Sequence, residues 1–151
     1  MKLRLIKFSN VKSTNDEAIK KIKSKKVHAG IVYSYSQTKG RGTMGKKWIS
    51  FNGNFFITIF FELKKNMPNF KEFSVLNPLI LKKLLSRYTN LKIKIKKPND
   101  LLINNKKVCG ILQETYKIEK WDKIDEYSAV ALAFADHKQS LQGMKFVKIL
   151  V

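Results

Sequence analysis

The sequence predicts an α+β fold, a largely antiparallel mixed sheet with helices packed on it, and three observations lead there. Residues 3–8, 29–37, 54–62 and 91–95 alternate or run apolar, with β-branched and aromatic side chains prominent, which is strand patterning. Asn104-Asn105-Lys106 separates 101–103 from 108–116, and that turn chemistry folds one strand back on the next. Helical spacing is confined to two stretches. Strands joined by hairpins with few helices make an α+β architecture.

Taken in order, residues 3–8 read as a first strand. Ser13-Thr14-Asn15-Asp16-Glu17 then supplies helix N-cap candidates and first-turn acids, followed by Ala18, Ile19 and Ile22 on one face. Residues 29–37 form a second strand that enters a glycine-rich run, and 54–62 reads as a buried strand. A helix spans 71–88 with Phe73, Leu76, Leu79, Ile80, Leu84 and Leu85 in register, where Pro78 marks a kink or a late start. Residues 91–95 alternate with lysine as a half-exposed strand. The hairpin about Asn104 follows, and 129–135 and 146–151 are the last strand candidates. No repeat or linker interrupts the chain.

At 151 residues and 17.5 kDa the chain is most economically one domain, 1–151, able to bury roughly two-thirds of its unfolded surface. The single cysteine, Cys109, excludes an intramolecular disulfide and sits in an apolar run (VCGIL) as a buried hydrophobe rather than a nucleophile. His28 and His137 lack the neighbours of a metal site. The amino terminus is not a signal peptide, and the longest apolar stretch, 55–63, is far short of the about 20 residues that span a bilayer. A cytoplasmic protein without membrane contact is expected.

The net charge of +20 would ordinarily indicate nucleic acid. Only Arg4, Arg41 and Arg87 among the 31 basic residues are arginine, and the chain is rich in Lys, Asn, Ile and Phe. All four have AT-rich codons, and the lysines are spread along the chain, so base composition explains the excess without selection for DNA. Specific DNA binding is not expected.

The most informative run is Gln37 to Trp48, QTKGRGTMGKKW. Glycines let backbone N–H groups approach a ligand, and the cations among them suit phosphate or carboxylate. A flexible basic loop would share that composition. Two further segments accompany it: STND at 13–16 and KPNDLLINNKKVCGILQE at 97–114.

In identity, order and spacing, these three segments resemble the catalytic domain of biotin protein ligases, with a class II aminoacyl-tRNA synthetase-like fold implied. The resemblance covers about residues 3–116. It implies an enzyme that joins biotin to ATP as biotinyl-5′-adenylate and then transfers biotin to a lysine of a biotin carboxyl carrier protein domain, as in acetyl-CoA carboxylase. Ser13, Thr14, Asn15 and Gln37 match contacts to biotin. Gly40, Arg41 and Gly42, with Thr43 beside them, match the loop that holds the carboxylate and α-phosphate, where a guanidinium bonds two oxygens at once. Trp48 matches an aromatic that orders the loop and the adenosine site, or is a core or surface anchor. Asn99 and Asp100 match a turn near the triphosphate where the carboxylate would meet Mg²⁺; an ordinary Pro-Asn-Asp turn has the same sequence. Lys107 matches the lysine that contacts carboxylate and bridging phosphate oxygens and, with Arg41, is the expected catalytic residue. Lys106 is its solvated neighbour, and Gly110 lets its strand come close to the ligand.

The chain departs from the family pattern at named positions. Thr43 stands where a second arginine is usual, and Lys97 where a tryptophan often precedes Pro-Asn-Asp. Ala131 and Ala133 fall where a glycine-rich strand lines the site. The family's amino-terminal DNA-binding domain and carboxy-terminal region are expected to be missing. Two alternatives stand beside the biotin reading: a lipoate or octanoate ligase of the same superfamily, and an inactive remnant that binds carrier protein or nucleic acid.

Overall fold

The structure, a computed structural model, describes residues 3–24, 27–51, 54–120 and 123–134. Its frame is a seven-stranded sheet. In chain order the strands are β1 (Arg4–Phe8), β2 (Ala29–Ser34), β5 (Phe55–Glu62), β6 (Ile93–Lys96), β7 (Asp100–Ile103), β8 (Lys106–Lys120) and β9 (Lys123–Phe134). Across the sheet they run β1-β2-β5-β9-β8-β7-β6, and a separate two-stranded ribbon pairs β3 (Gly40–Arg41) with β4 (Lys47–Trp48). The β1/β2 pair is parallel and the other neighbours in the large sheet are antiparallel, as the sequence predicts.

Helix α1 (Thr14–Lys23) begins where the capping signal lies. Ser13 is its N-cap, and the hydroxyl accepts from the Asp16 amide at 3.4 Å. Asp16 and Glu17 occupy the first turn and three lysines the last turn or so, complementing the helix dipole. Its apolar face (Ala18 and Ile22) packs on Val32, Phe60, Tyr127 and Ala129.

Helix α2 (Phe70–Leu85) covers the opposite face of the sheet. It begins with a capping box: the Asn69 side chain accepts from the Lys71 and Glu72 amides at 2.9 and 3.1 Å, and the Asn69 amide donates to Glu72 at 2.7 Å. The helix runs through Pro78, which is therefore not a late start. Leu81 and Leu85 are the side chains it contributes to a core with Ile93, Leu101, Ile103, Val108, Cys109, Ile111 and Val130. Much of its apolar stripe faces out: Leu79 is 49% exposed and Ile80 60%. Periodicity located the helix but not the side it turns inward.

The hairpin about Asn104 forms as expected. Asn104 and Asn105 have φ of 49° and 61°, the pair of left-handed residues a two-residue turn requires and that asparagine tolerates. Beyond it, β8 and β9 pair from Cys109↔Phe134 to Lys120↔Lys123, a hairpin longer at both strands than the sequence patterning indicates. Residues 135 and 146–151 of the expected strands, and His137, lie outside the described residues. No helix among the described residues is long and apolar enough to cross a membrane.

Strand alternation in β8 sets up the site. Cys109 and Ile111 join the core under α2, and Gln113 accepts from the Asn77 amide at 2.8 Å on that same face. Gly110, Leu112 and Glu114 therefore face the other way, toward α1 and the glycine-rich loop.

Candidate active site

A cavity of about 690 Å³ opens on the α1 side of the sheet, lined by residues from five segments of the chain: 13–15, 37–48, 96–100, 107–112 and 131–132. Ser13, Thr14, Asn15, Gln37, Arg41, Gly42, Thr43, Trp48, Asn99, Asp100, Lys107 and Gly110 all reach it. Of the residues singled out in the sequence, Gly40 lies behind the lining: a Cβ there would stand 2.9 Å from the Trp48 carbonyl oxygen and 3.0 Å from the Gln37 amide nitrogen. Its role is to let the loop close on itself.

At the first corner, the start of α1 meets Gln37. Thr14 donates to the Gln37 amide oxygen from its backbone nitrogen at 2.9 Å and its hydroxyl at 3.1 Å. Thr58 on β5 donates to the Thr14 hydroxyl at 3.0 Å. Ser13 serves the helix cap and, with Thr14 and Asn15, also lines the cavity.

At the second corner, the Arg41 guanidinium forks onto Glu114. Its terminal nitrogens donate to the two carboxylate oxygens at 2.6 and 2.7 Å, and one of them also meets Asp16 at 2.9 Å. The hydrogen bonds that Arg41 donates to Glu114 push the guanidinium above its ordinary value, against the opposing effect of burial. The Asn15 side-chain NH₂ donates to the same Glu114 carboxylate.

The third corner is built on β7 and β8. Lys107 pairs with Asp100 at 2.7 Å and lies 4.6 Å from the centre of the Trp48 ring, close enough for a cation–π contact. Asn99 exchanges two hydrogen bonds with Ile111, its side chain donating to the carbonyl at 2.6 Å and its carbonyl accepting from the amide at 2.9 Å. That clamp holds the 97–100 turn beside the cavity. Gly110 leaves room for the Trp48 indole, since a Cβ would stand 2.7 Å from its Cζ3.

Three polar atoms here are buried without a partner among the described residues: the Asn15 Oδ1, the Arg41 Nε and the Trp48 Nε1. Each unmade hydrogen bond costs about 1–3 kcal/mol. The acceptor and the two donors belong to residues that line the cavity. Six of the cavity's lining residues are cationic, against Asp100 as its carboxylate, so the ligand is expected to be an anion.

Asp100 does not fit a resident Mg²⁺. Its carboxylate is taken by Lys107, and among the described residues no cluster of three or more His, Cys, Asp or Glu could hold a metal. Divalent cations need several oxygen ligands, so a metal here would arrive with a triphosphate.

Sequence reasoning did not single out Glu114 and Asp16 as site residues. The signal was present: each acid closes one of the motif segments, STND and the run ending GILQE, in a chain with only eleven acidic residues. Of the altered positions, Ala131 lines the cavity, Thr43 is exposed at its mouth, and the Ala133 side chain lies outside the described residues. Cys109 is fully buried, and burial pushes its thiol well up, as fits an inert core residue.

Comparison with known proteins agrees with this geometry. Residues 7–124 match the biotin/lipoate A/B protein ligase family. The bifunctional ligase/repressor BirA of Escherichia coli is 30% identical over 105 residues, which are 69% of this chain and 32% of that protein. The chain thus spans about a third of the length of the curated relatives it matches. A biotin protein ligase from Aquifex aeolicus, solved with biotin and ATP, superposes with a TM-score of 0.63 at 27% identity, covering 85% of this chain and 51% of the other. The Helicobacter pylori biotin acetyl coenzyme A carboxylase synthetase shares the fold at a TM-score of 0.66 and 18% identity, over 91% of this chain and 64% of that one. With its fold, three motif segments and family match in agreement, the chain belongs to the biotin/lipoate A/B protein ligase family.

Proposed function

We propose that this chain activates biotin with ATP as biotinyl-5′-adenylate and transfers it to a lysine of a biotin carboxyl carrier protein domain. The observation that carries this reading is the convergence of Thr14, Asn15, Gln37, the glycine-rich loop and Lys107 on one cavity from three segments far apart in sequence. Those residue types supply what the reaction needs. The polar corner of Thr14, Asn15 and Gln37 takes the cyclic urea of biotin. Lys46 and Lys47 of the loop and Lys107 meet the carboxylate and the α-phosphate, while Arg41 is engaged by Glu114 and Asp16.

A biotin carboxylate oxygen attacks the α-phosphorus and pyrophosphate leaves, so the anhydride forms without a protein nucleophile. The chain's contribution is position and charge. Lys107 sits against the apolar face of Trp48, where its charge is less screened than in open water. It offsets the negative charge that builds between carboxylate and phosphate. In the second half-reaction, the amine of a carrier lysine attacks the acyl carbon and AMP departs. Trp48, Asn99 and Asp100 border the adenosine and triphosphate end, and Mg²⁺ enters with ATP.

The test is biotin-dependent exchange of labelled pyrophosphate into ATP, with lipoate and octanoate in parallel. Exchange with biotin alone is the expected result. Exchange with lipoate or octanoate alone would give the lipoate-type ligase reading. No exchange with any of the three, in folded protein, would leave an inactive remnant.

A further inference from the structure

We propose that Glu114 is the positioning residue of this site, holding the glycine-rich loop through Arg41 and fixing which end of the Asn15 amide faces the ligand. Its carboxylate joins three segments: Asn15 at the start of α1, Arg41 in the loop, and β8 itself.

Arg41 is the loop's anchor. Both terminal nitrogens are spent on Glu114, one also on Asp16, and the Nε is buried. In this arrangement its guanidinium faces protein carboxylates rather than the cavity's mouth. The loop's other ties lie at its two ends and within it: Thr38 donates to the Val11 carbonyl at 3.0 Å and Lys39 to the Lys12 carbonyl at 2.8 Å, Trp48 seats on Gly110, and β3 pairs only with β4 of the same loop. Residues 43–47 are exposed, and Met44 and Gly45 have positive φ. A fork–fork pair to a strand of the central sheet is the contact able to hold such a loop in one place.

The second consequence concerns recognition. A carboxylate only accepts hydrogen bonds, so Asn15 must turn its NH₂ to Glu114. Its Oδ1 is then the end left over, buried and without a partner. Glu114 thereby leaves Asn15, a residue of the cavity lining, with its acceptor end unpaired, and so selects a ligand that brings an N–H donor. A cyclic urea has one; the dithiolane or alkyl end of lipoate or octanoate has none. A glutamine at 114 would accept either orientation of Asn15 and remove that selection.

Two measurements on Glu114→Gln, a near-isosteric change at a residue 25% exposed, test the two halves. Limited trypsin digestion reads the loop at Lys39, Lys46 and Lys47, with Lys64 and Lys65 as internal controls. Cleavage within 39–47 is expected to rise on the order of 10-fold, the loss of one charge-assisted hydrogen bond, while the control sites and the melting temperature hold. Arg41→Met, which also loses the Asp16 contact, is expected to loosen the loop at least as much, and the double variant no further than Arg41→Met. Unchanged loop cleavage in folded Glu114→Gln and Arg41→Met proteins would overturn the anchor.

The selectivity half rests on the biotin reading above. In calorimetric titrations with biotin and octanoate, Glu114→Gln is expected to reduce the preference for biotin by about 10-fold; an unchanged preference would overturn it. Wild-type protein that binds neither acid would instead count against the biotin reading, and the protease experiment would still decide the anchor.

Discussion

The Trp48 indole packs against Gly110 of β8: a Cβ at 110 would stand 2.7 Å from Cζ3 and 2.9 Å from Cη2 of that ring. The missing side chain of one motif thus receives the aromatic of another. Gly110 therefore seats the ring beside Lys107.

Gly110→Ala is expected to push Trp48 out of its seat and to destabilise the fold by about 1–3 kcal/mol, the usual cost of overpacking. Urea unfolding reads the loss. In a Trp48→Ala background the same change should cost little, because the clash has no partner. Equal costs in both backgrounds would contradict the packing.

Lys107→Met should lower the rate of pyrophosphate exchange by about 10²–10³-fold with little change in the biotin KM, as expected for charge offset in the transition state. Lys106→Met should leave the rate unchanged, because Lys106 is exposed and does not line the cavity. Steady-state kinetics on the two variants checks both.

Thr43→Arg adds a cation at the mouth of the cavity, where Arg41 is already engaged by Glu114 and Asp16. The expected outcome is slower release of the adenylate by about 10-fold, one good charge-assisted contact. Quenched-flow measurement of free biotinyl-5′-adenylate follows it. Release at the wild-type rate would show that the loop does not bring residue 43 to the phosphate.

Cys109 gives a pH-dependence with a definite sign. Burial places the folded thiol above its unfolded value, near 8.5 in model peptides. The stability tied to the neutral thiol is complete below that value and is lost as pH rises above it, since the unfolded thiol ionises first. Cys109→Ala should therefore narrow the fall in unfolding free energy between pH 8 and 10. Iodoacetamide should label the native protein only in denaturant.

Asn69→Ala removes the capping box of α2 and is expected to cost about 1 kcal/mol. Exchange activity should be unaffected, because α2 packs on the face of the sheet away from the cavity. Thermal melts and the exchange assay together test that separation.

The sequence by itself determined the element types and the three motif segments, because strand alternation, caps and turn residues are local signals. It placed the turn at Asn104-Asn105 and the start of α1 at Ser13, where a side chain answers its own backbone. It also located α2, yet could not say which side of that helix is buried: Leu81 and Leu85 pack inward while Leu79 and Ile80 face out. That choice depends on what lies across from the helix. The long β8/β9 hairpin escaped for a similar reason, since lysine-rich strands pair through backbone bonds that side-chain patterning does not reveal.

The sequence likewise assembled the list of site residues, but only the tertiary structure decided their partners. Arg41 and Glu114 are 73 residues apart, and Asn15 and Glu114 are 99 apart. Charge pairs at such separations carry no periodicity and no fixed spacing. Their geometry exists only once the sheet brings β8 between α1 and the loop, which is why the acids that organise the site were legible as letters and not as roles.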